Sequence, residues 1–397
     1  MNIKNRFWTA RYAAINIFFF AGYSAIHAYA SVFLLSKGFS NSTIGIILAL
    51  ANITSVLVQP VVAAFIDKGG RVTNRNTIIT TILLMAAMAL LMAFVNVMAV
   101  VFLAFAMCYM LQMMIQPIIV ALDFEYEKRG CRINFGLARG LGSCGFAAIS
   151  PIIGVWVTNI GPHIIPYVFI GTLLVCLFFT ATFVTDNSDT TVTKDSDEAE
   201  AAANNNLIDF VKTYPKFIVY VIAIACFFFG HNTINDYLIQ IIRPLGANET
   251  TMGYMVSMAA FLELPTMAVF VYLAKKIDCG ILLKFAGVMF FVKIGIMLLA
   301  TNIPMAFISM ACQMFAYALY IPANAYYATK VMMKNDQVKG QAVSSAAITL
   351  GGTFSGLICG RILDSSGAHT MLLVATIVSA VGVALILFSV EKVGRKV

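Results

Sequence analysis

The chain contains 397 residues, of which 60% are hydrophobic and only 11% are charged. Soluble globular proteins carry about 25% charged residues, so this composition excludes a water-soluble enzyme, a nucleic-acid-binding module and a disordered chain. It predicts an integral membrane protein, provided that the hydrophobic residues occur in runs of about 20. The net charge of +8 is then explained by Lys and Arg in cytoplasmic loops rather than by a nucleic-acid partner.

Hydrophobic runs long enough to cross the hydrocarbon core of a bilayer recur along the whole chain. They occupy residues 12–35, 42–66, 76–95, 97–122, 135–158, 163–184, 216–242, 250–274, 281–300, 303–331, 340–363 and 368–390. The third and fourth runs are separated only by Asn96. The pattern predicts an all-α integral membrane protein with twelve transmembrane helices.

The positions of the basic residues along the chain agree with a count of twelve transmembrane helices. With both termini inside, each of the seven inner segments contains three Lys or Arg residues, whereas the outer segments contain only Lys37, Arg243 and Arg361. Because an excess of Lys and Arg marks the cytoplasmic side, we predict a multi-pass protein of the cell (inner) membrane with cytoplasmic N- and C-termini.

One long polar stretch, residues 185–215, divides the chain into residues 1–184 and 216–397. Its acidic residues and its Ala and Asn run are typical of a flexible cytoplasmic linker. The chain is therefore predicted to contain two six-helix bundles joined by this linker.

The two halves resemble each other at a nearly constant offset. Residues of the first half recur 208 or 206 positions later, as in Gly22 and Gly230, or Gly145 and Gly351. An even number of helices per half gives both halves the same orientation. This predicts pseudo-two-fold symmetry about the membrane normal, with a cavity at the interface of the halves.

Two segments carry a family resemblance. The loop after the second run contains Asp67, Lys68, Gly70 and Arg71. It resembles the signature loop of the major facilitator superfamily, although Ala63 replaces its leading Gly. The segment from Phe135 to Phe146 resembles the start of the fifth helix in the oligosaccharide and nucleoside proton symporter branch, and Glu263 and Lys293 are similar to that branch too. The resemblance covers residues 12–390 and implies the major facilitator fold.

The sequence also departs from this branch. Phe146 stands where the disaccharide symporters have a Trp that stacks on the sugar, and the tenth run lacks their His and Glu pair. These departures argue against a disaccharide substrate.

Three ionisable residues are candidates for proton coupling: Glu263, Lys293 and Asp236. A charged group inside a membrane helix is costly and usually faces a cavity or a partner. Paired, Glu263 and Lys293 compensate each other, and their alternative role is a purely structural ion pair. Asp123 is a further acid that would meet Arg139 near the inner end of the cavity, or serve only as an interfacial residue.

Polar and aromatic residues within the runs are candidates for substrate binding, because they exceed what helix packing requires. They are Tyr23, His27, Gln116, Arg139, Phe146, His231, Asn232, Asn235, Gln313 and Tyr317. Asn232, Asp236 and Gln240 share one helix face at i, i+4 and i+8. Interhelical hydrogen bonding and plain packing remain the alternative roles of these residues.

The predicted function is secondary active transport by alternating access, as a proton-coupled symporter importing a sugar, a nucleoside or an aromatic acid. The alternatives are a proton-driven exporter and a non-transporting solute sensor.

No nucleophile motif, metal cluster or P-loop occurs, so we expect no enzyme activity, cofactor or metal. Gly140, Gly142 and Gly145 match GxGxxG, the motif of dinucleotide-binding proteins. No strand precedes them, so we reject a dinucleotide site. The expected partners are the solute, protons and the lipid bilayer, with no nucleic acid, and we expect a monomer.

Overall fold

The computed structural model describes residues 7–68, 72–184 and 207–393. These residues form helices and connecting loops, without a β-strand. The first six spans are α1 (Trp8–Ala28 with Ala30–Ser36), α2 (Asn41–Asp67), α3 (Asn74–Phe94), α4 (Met98–Lys128), α5 (Phe135–Ile160) and α6 (Pro162–Ala181). The two parts of α1 meet at a bend of 51°.

The remaining spans follow the predicted linker. They are α7 (Pro215–Asp236, continued by Leu238–Ile242), α8 (Glu249–Lys276), α9 (Cys279–Leu298), α10 (Ile303–Val331), and α11 and α12, which together form Gln337–Ser389. Gly367, with φ 79° and ψ 176°, separates α11 from α12. This left-handed φ is accessible to Gly because Gly has no Cβ.

The helices agree with the predicted spans to within a few residues. Ten helices in the described parts of the chain are long and apolar enough to cross a membrane, and the bent α1 is an eleventh. The kink at Gly367 divides the 53-residue helix into two, which is consistent with twelve spans. The prediction of an all-α integral membrane protein is confirmed.

The chain divides into two compact units. The first comprises Met1–Val192 with Ala247–Ala260, and the second comprises Thr193–Gly246 with Phe261–Val397, as far as their residues are described. The first turns of α8 therefore pack with the first half of the chain. Its Thr250 Oγ1 donates to Thr158 Oγ1 (2.9 Å), and its Ser257 Oγ donates to the carbonyl of Ala147 (2.6 Å).

Residues 185–206 of the predicted linker lie outside the described part of the chain. Leu207–Thr213 forms a short helix. Its Phe210 is buried and contacts Tyr214 and Phe217, with ring centroids 5.1 Å and 6.3 Å away. This last part of the predicted linker is thus packed onto the second unit.

Close helix contacts repeat in the two units. A Cβ on Gly22 would lie 2.9 Å from Thr172 Oγ1, and a Cβ on Gly230 would lie 2.5 Å from Ser379 Oγ. Gly230 lies 208 positions after Gly22, and Ser379 lies 207 positions after Thr172. The same helix crossing therefore occurs once in each unit. Small residues at such a crossing let two helix backbones approach each other.

A second repeated contact joins α1 to α5 and α7 to α11. A Cβ on Gly145 would lie 2.5 Å from the backbone oxygen of Ile17, and a Cβ on Gly351 would lie 2.5 Å from that of Ala225. These are two of the Gly positions that indicated the internal repeat. The predicted repeat is confirmed at these crossings.

Candidate functional site

The first unit contains an aromatic cluster around His27. His27 lies in a π-helical turn, Ser24–Ala28, within α1; such turns occur frequently at functional sites. Its imidazole stacks on the ring of Tyr23 (3.6 Å, 1°) and contacts the ring of Tyr109 on α4 (3.8 Å, 39°). The His27 Nε2 atom is buried and has no hydrogen-bond partner among the described residues.

Arg139 and Phe146, both on α5, adjoin this cluster. The guanidinium of Arg139 lies 4.1 Å from the ring centroid of Phe20, and its Nη1 donates to Ser143 Oγ (3.4 Å). Phe20 and Phe146 both neighbour Tyr23, with centroid separations of 5.9 Å and 6.4 Å. The structure thus connects four predicted binding residues of this half through aromatic contacts. A ring-bearing solute could stack here, and Arg139 could bind an anionic or hydroxyl group.

The polar residues of α4 are less directly connected. Gln116 is half-buried. Asp123 is fully buried, and its carboxylate oxygens have no hydrogen-bond partner among the described residues; the same holds for the amide of Gln112. Asp123 and Arg139 are both electrostatic neighbours of Tyr12. The predicted meeting of Asp123 with Arg139 is therefore not a hydrogen-bonded pair.

The second unit contains a continuous chain of polar side chains. Lys293 on α9 is fully buried, and its Nζ donates to Gln313 Oε1 on α10 (2.7 Å). Gln313 Nε2 in turn donates to Glu263 Oε1 on α8 (2.5 Å). One amide therefore binds both the predicted acid and the predicted base, presenting its oxygen to the cation and its nitrogen to the carboxylate.

His231 and Asn235 on α7 extend this chain. His231 Nδ1 lies 3.4 Å from Lys293 Nζ, and His231 Nε2 lies 2.9 Å from Asn235 Nδ2. The imidazole is nearly parallel to the ring of Tyr317 (5.2 Å, 5°). We call this set the polar chain; in order it contains Glu263, Gln313, Lys293, His231 and Asn235.

Helix irregularities position the members of the polar chain. Gln313 lies in a 3₁₀ turn, Cys312–Met314, between the two α-helical parts of α10. The hydroxyl of Ser309 donates to the backbone oxygen of Lys293 (2.7 Å) and so joins α10 to α9 beside the lysine. Pro265, two residues after Glu263, lies inside α8 and removes one backbone hydrogen bond there.

Other predicted residues lie outside the polar chain. Asp236, the last residue of the first part of α7, has Tyr237 and Cys359 of α11 as electrostatic neighbours. Asn232 is half-buried. No hydrogen bond described for the polar chain reaches either residue.

The signature loop is only partly visible. Asp67 ends α2, and the ammonium of Lys68 lies 5.2 Å from the ring centroid of Phe65. Gly70 and Arg71 lie outside the described residues.

Sequence reasoning did not select Tyr109 or Phe20, which join the predicted residues of the first unit. Tyr109 lies seven positions before Gln116 on α4, a spacing that places the two residues on one helix face. That spacing was a signal available in the sequence. Phe20 carries no such signal, because it is one of 31 Phe residues.

A sequence model of the MFS_1 like family matches residues 9–374. The chain belongs to this family. It is therefore a member of the major facilitator superfamily, as the signature loop indicated. No curated protein matches the chain.

Solved transporter structures share the fold. A mutant of the nucleoside transporter NupG superimposes with a TM-score of 0.80 at 11% identity, covering 96% of this chain and 98% of that chain. The D-xylose-proton symporter gives a TM-score of 0.70 at 14% identity, covering 98% of both chains. A bacterial homologue of the human lysosomal transporter Spinster gives 0.67 at 12% identity, covering 98% and 97%. The chain is a multi-pass membrane protein with the fold of secondary transporters.

Proposed function

We propose that the chain is a proton-coupled symporter that imports a small polar organic solute by alternating access. The solute would be a sugar, a nucleoside or an aromatic acid, which fits the stacking surfaces of Tyr23 and Phe146 and the cation of Arg139. We place the protein in the cell (inner) membrane as a monomer, in the oligosaccharide and nucleoside proton symporter branch.

The observation that carries this proposal is the polar chain of the second unit. An acid and a base inside membrane-spanning helices would each be costly without a partner, and both bind the amide of Gln313. In this proposal Glu263 carries the proton and Lys293 is its partner, with Asp236 as the second candidate. An unprotonated Glu263 separated from Lys293 would be costly in a low-dielectric interior. Return of the transporter without a proton is therefore disfavoured.

The test is uptake by purified protein in liposomes under an imposed pH gradient, with a radiolabelled sugar, nucleoside and aromatic acid as probes. We expect accumulation of one probe against its own gradient. Expulsion under the same polarity would indicate an exporter, and specific binding without flux would indicate a sensor. Either result would overturn the symport proposal.

The Glu263→Gln variant tests the assigned proton carrier. Because Gln cannot exchange a proton, this variant should keep substrate binding and counterflow but lose accumulation driven by the pH gradient. Glu249→Gln, at the start of the same helix, is the matched control and should accumulate substrate like the wild type. Wild-type proton uptake by Glu263→Gln would refute the assignment and make Asp236 the next residue to test.

A further inference from the structure

The ring of Phe20 on α1 occupies a groove on α5 that is open because residue 142 has no Cβ. A Cβ added to Gly142 would lie 2.7 Å from Phe20 Cδ2 and 3.2 Å from Asn16 Cβ. The ring of Phe19 meets that of Phe20 edge-on, with centroids 5.1 Å apart and an angle of 84° between the planes. Phe20 is buried, so its ring is packed between α5 and its neighbour on α1.

The same groove brings Phe20 to the cation of Arg139. Gly142 lies three positions after Arg139, so both residues are on the face of α5 that meets α1. Cζ of Arg139 lies over the Phe20 ring, 4.1 Å from its centroid, and the negative face of an aromatic ring attracts a cation within about 6 Å. The bond from Arg139 Nη1 to Ser143 Oγ is long, at 3.4 Å. Of these two contacts, the one with the ring restrains the guanidinium more closely.

Phe20 also joins Arg139 to the aromatic cluster of the first unit. Its ring centroid lies 5.9 Å from that of Tyr23, and the Tyr23 ring stacks on His27 at 3.6 Å. Phe146 lies 6.4 Å from Tyr23 on another side. An Arg side chain has many rotamers, and fixing one of them costs conformational entropy. The Phe20 ring therefore gives the guanidinium a defined place relative to the rings on which a solute would stack.

We propose that Phe20 is a positioning residue for solute binding, because its ring holds the guanidinium of Arg139 at a fixed distance from Tyr23. The arrangement selects solutes that carry a carboxylate or hydroxyl group at that distance from a ring. Holding the cation in place before the solute arrives lowers the cost of binding. This inference rests on the proposed function, in which Arg139 and Tyr23 contact the solute.

A role of Phe20 in packing alone leads to a different expectation. Filling the groove beside Gly142 requires only the shape of the ring. Holding a cation requires the negative charge on the ring face. Fluorine atoms on the ring withdraw this charge with little change of shape, so a series of fluorinated rings separates the two roles.

The test places mono-, di- and trifluorinated phenylalanine at position 20 of the full-length protein in liposomes. Radiolabelled xylose, uridine and benzoate are the probes, and initial rates of uptake give KM and the maximal rate for the probe that is carried. We expect KM to rise with each added fluorine at an unchanged maximal rate, because the lost contact contributes to binding. In Phe20→Leu, which has no ring, KM should rise about threefold to thirtyfold.

The matched control is the same fluorinated series at Phe19, the neighbouring ring on α1, which should keep the wild-type KM. A KM that does not respond to fluorination at Phe20, or that responds equally at Phe19, would overturn the inference. The fluorinated rings keep the shape of the core, so this comparison does not depend on the folding of Phe20→Leu.

An NMR measurement decides the position of the cation without transport. A phenyl ring moves the resonances of protons above its face upfield, and Arg139→Lys identifies the Nε–H signal of Arg139 in arginine-labelled protein in nanodiscs. This signal should move downfield in Phe20→Leu and in Gly142→Ala, whose methyl group displaces the ring. Gly140→Ala, where a Cβ would meet nothing within 4 Å, should leave it unchanged.

The two measurements separate this inference from the proposed function. An Arg139 signal that stays in place in Phe20→Leu would overturn the inference, whichever probe is carried. A signal that moves as expected in a protein that carries none of the three probes would contradict the proposed function and retain Phe20 as the residue that positions Arg139.

Discussion

At the scale of single residues, the position of Lys293 is the most informative feature of the molecule. It is fully buried on α9 and is hydrogen-bonded to Gln313. The desolvation of a buried charge costs several kcal/mol, which an amide alone offsets only in part. The carboxylate of Glu263, bound to the same amide, supplies the opposite charge.

Removal of one charge from this arrangement should therefore be worse than removal of both. Lys293→Gln strands the carboxylate of Glu263, and we expect it to lower the free energy of unfolding by about 3–5 kcal/mol. The double variant Glu263→Gln with Lys293→Gln should recover most of this loss. The measurement is a double-mutant cycle of unfolding in detergent.

Lys334→Gln is the matched control for this cycle, because Lys334 is exposed. It should change the free energy of unfolding by less than about 0.5 kcal/mol. A loss in the double variant equal to the sum of the losses in Lys293→Gln and Glu263→Gln would show that Glu263 and Lys293 are energetically independent. The polar chain would then not act as a unit.

At the scale of helices, the contact of Gly145 sets how closely α1 approaches α5, and the contact of Gly351 sets how closely α7 approaches α11. A Cβ at Gly145 or Gly351 would meet a backbone oxygen at 2.5 Å. A backbone oxygen cannot swing away as a long side chain can, so the helices themselves would have to separate. We expect these positions to accept no side chain without loss of packing.

Gly145→Ala should accordingly lower the thermal unfolding temperature, at a cost of about 1–3 kcal/mol from overpacking. Gly140→Ala, on the same helix, is the control, because a Cβ there would meet nothing within 4 Å. The better helix propensity of Ala should make the control neutral or stabilising by up to about 1 kcal/mol. Equal unfolding temperatures for the two variants would contradict the close approach of α1 and α5.

The ends of the helices are also held by specific donors. Arg11 Nη2 donates to the backbone oxygen of Thr182 (2.6 Å), and Arg75 Nε donates to that of Thr180 (3.2 Å). These carbonyls end α6 and have no partner within the helix. Cations are favourable there because the helix dipole is negative at its C-terminus. The two arginines thus stabilise the end of α6, where the chain enters the predicted linker.

At the scale of the whole molecule, the distribution of Lys and Arg predicts the orientation. An odd number of spans would place the termini on opposite sides of the membrane. We expect both termini and the 185–215 linker to be cytoplasmic, because the inner segments contain most of the basic residues.

A reporter that is active only outside the cytoplasm tests this orientation when it is fused after Val397. The fusion should be silent, and the same reporter inserted after Arg243, in a predicted outer segment, should be active. Activity of the C-terminal fusion would mean an odd count of spans and would reverse the orientation of every helix after the miscounted one.

Much of this molecule could be predicted from its sequence, because the bilayer restricts what a chain can do. Runs of about 20 apolar residues must become helices, since backbone groups in lipid have to be satisfied within the segment. The spans, the internal repeat and the superfamily follow from such local patterns. The residue types of the candidate site follow too, because ionisable groups such as Glu263 and Lys293 are conspicuous in apolar helices.

The tertiary structure decided how these residues are connected. Glu263, Lys293 and Gln313 lie on three different helices, and their packing places the Gln313 amide in hydrogen bonds with both charged groups. The π-turn at His27 and the 3₁₀ turn at Gln313 leave no local signature, because residue types do not encode one irregular turn within a continuous apolar run. Hydropathy determines which segments cross the membrane, whereas contacts between distant segments determine which polar atoms meet.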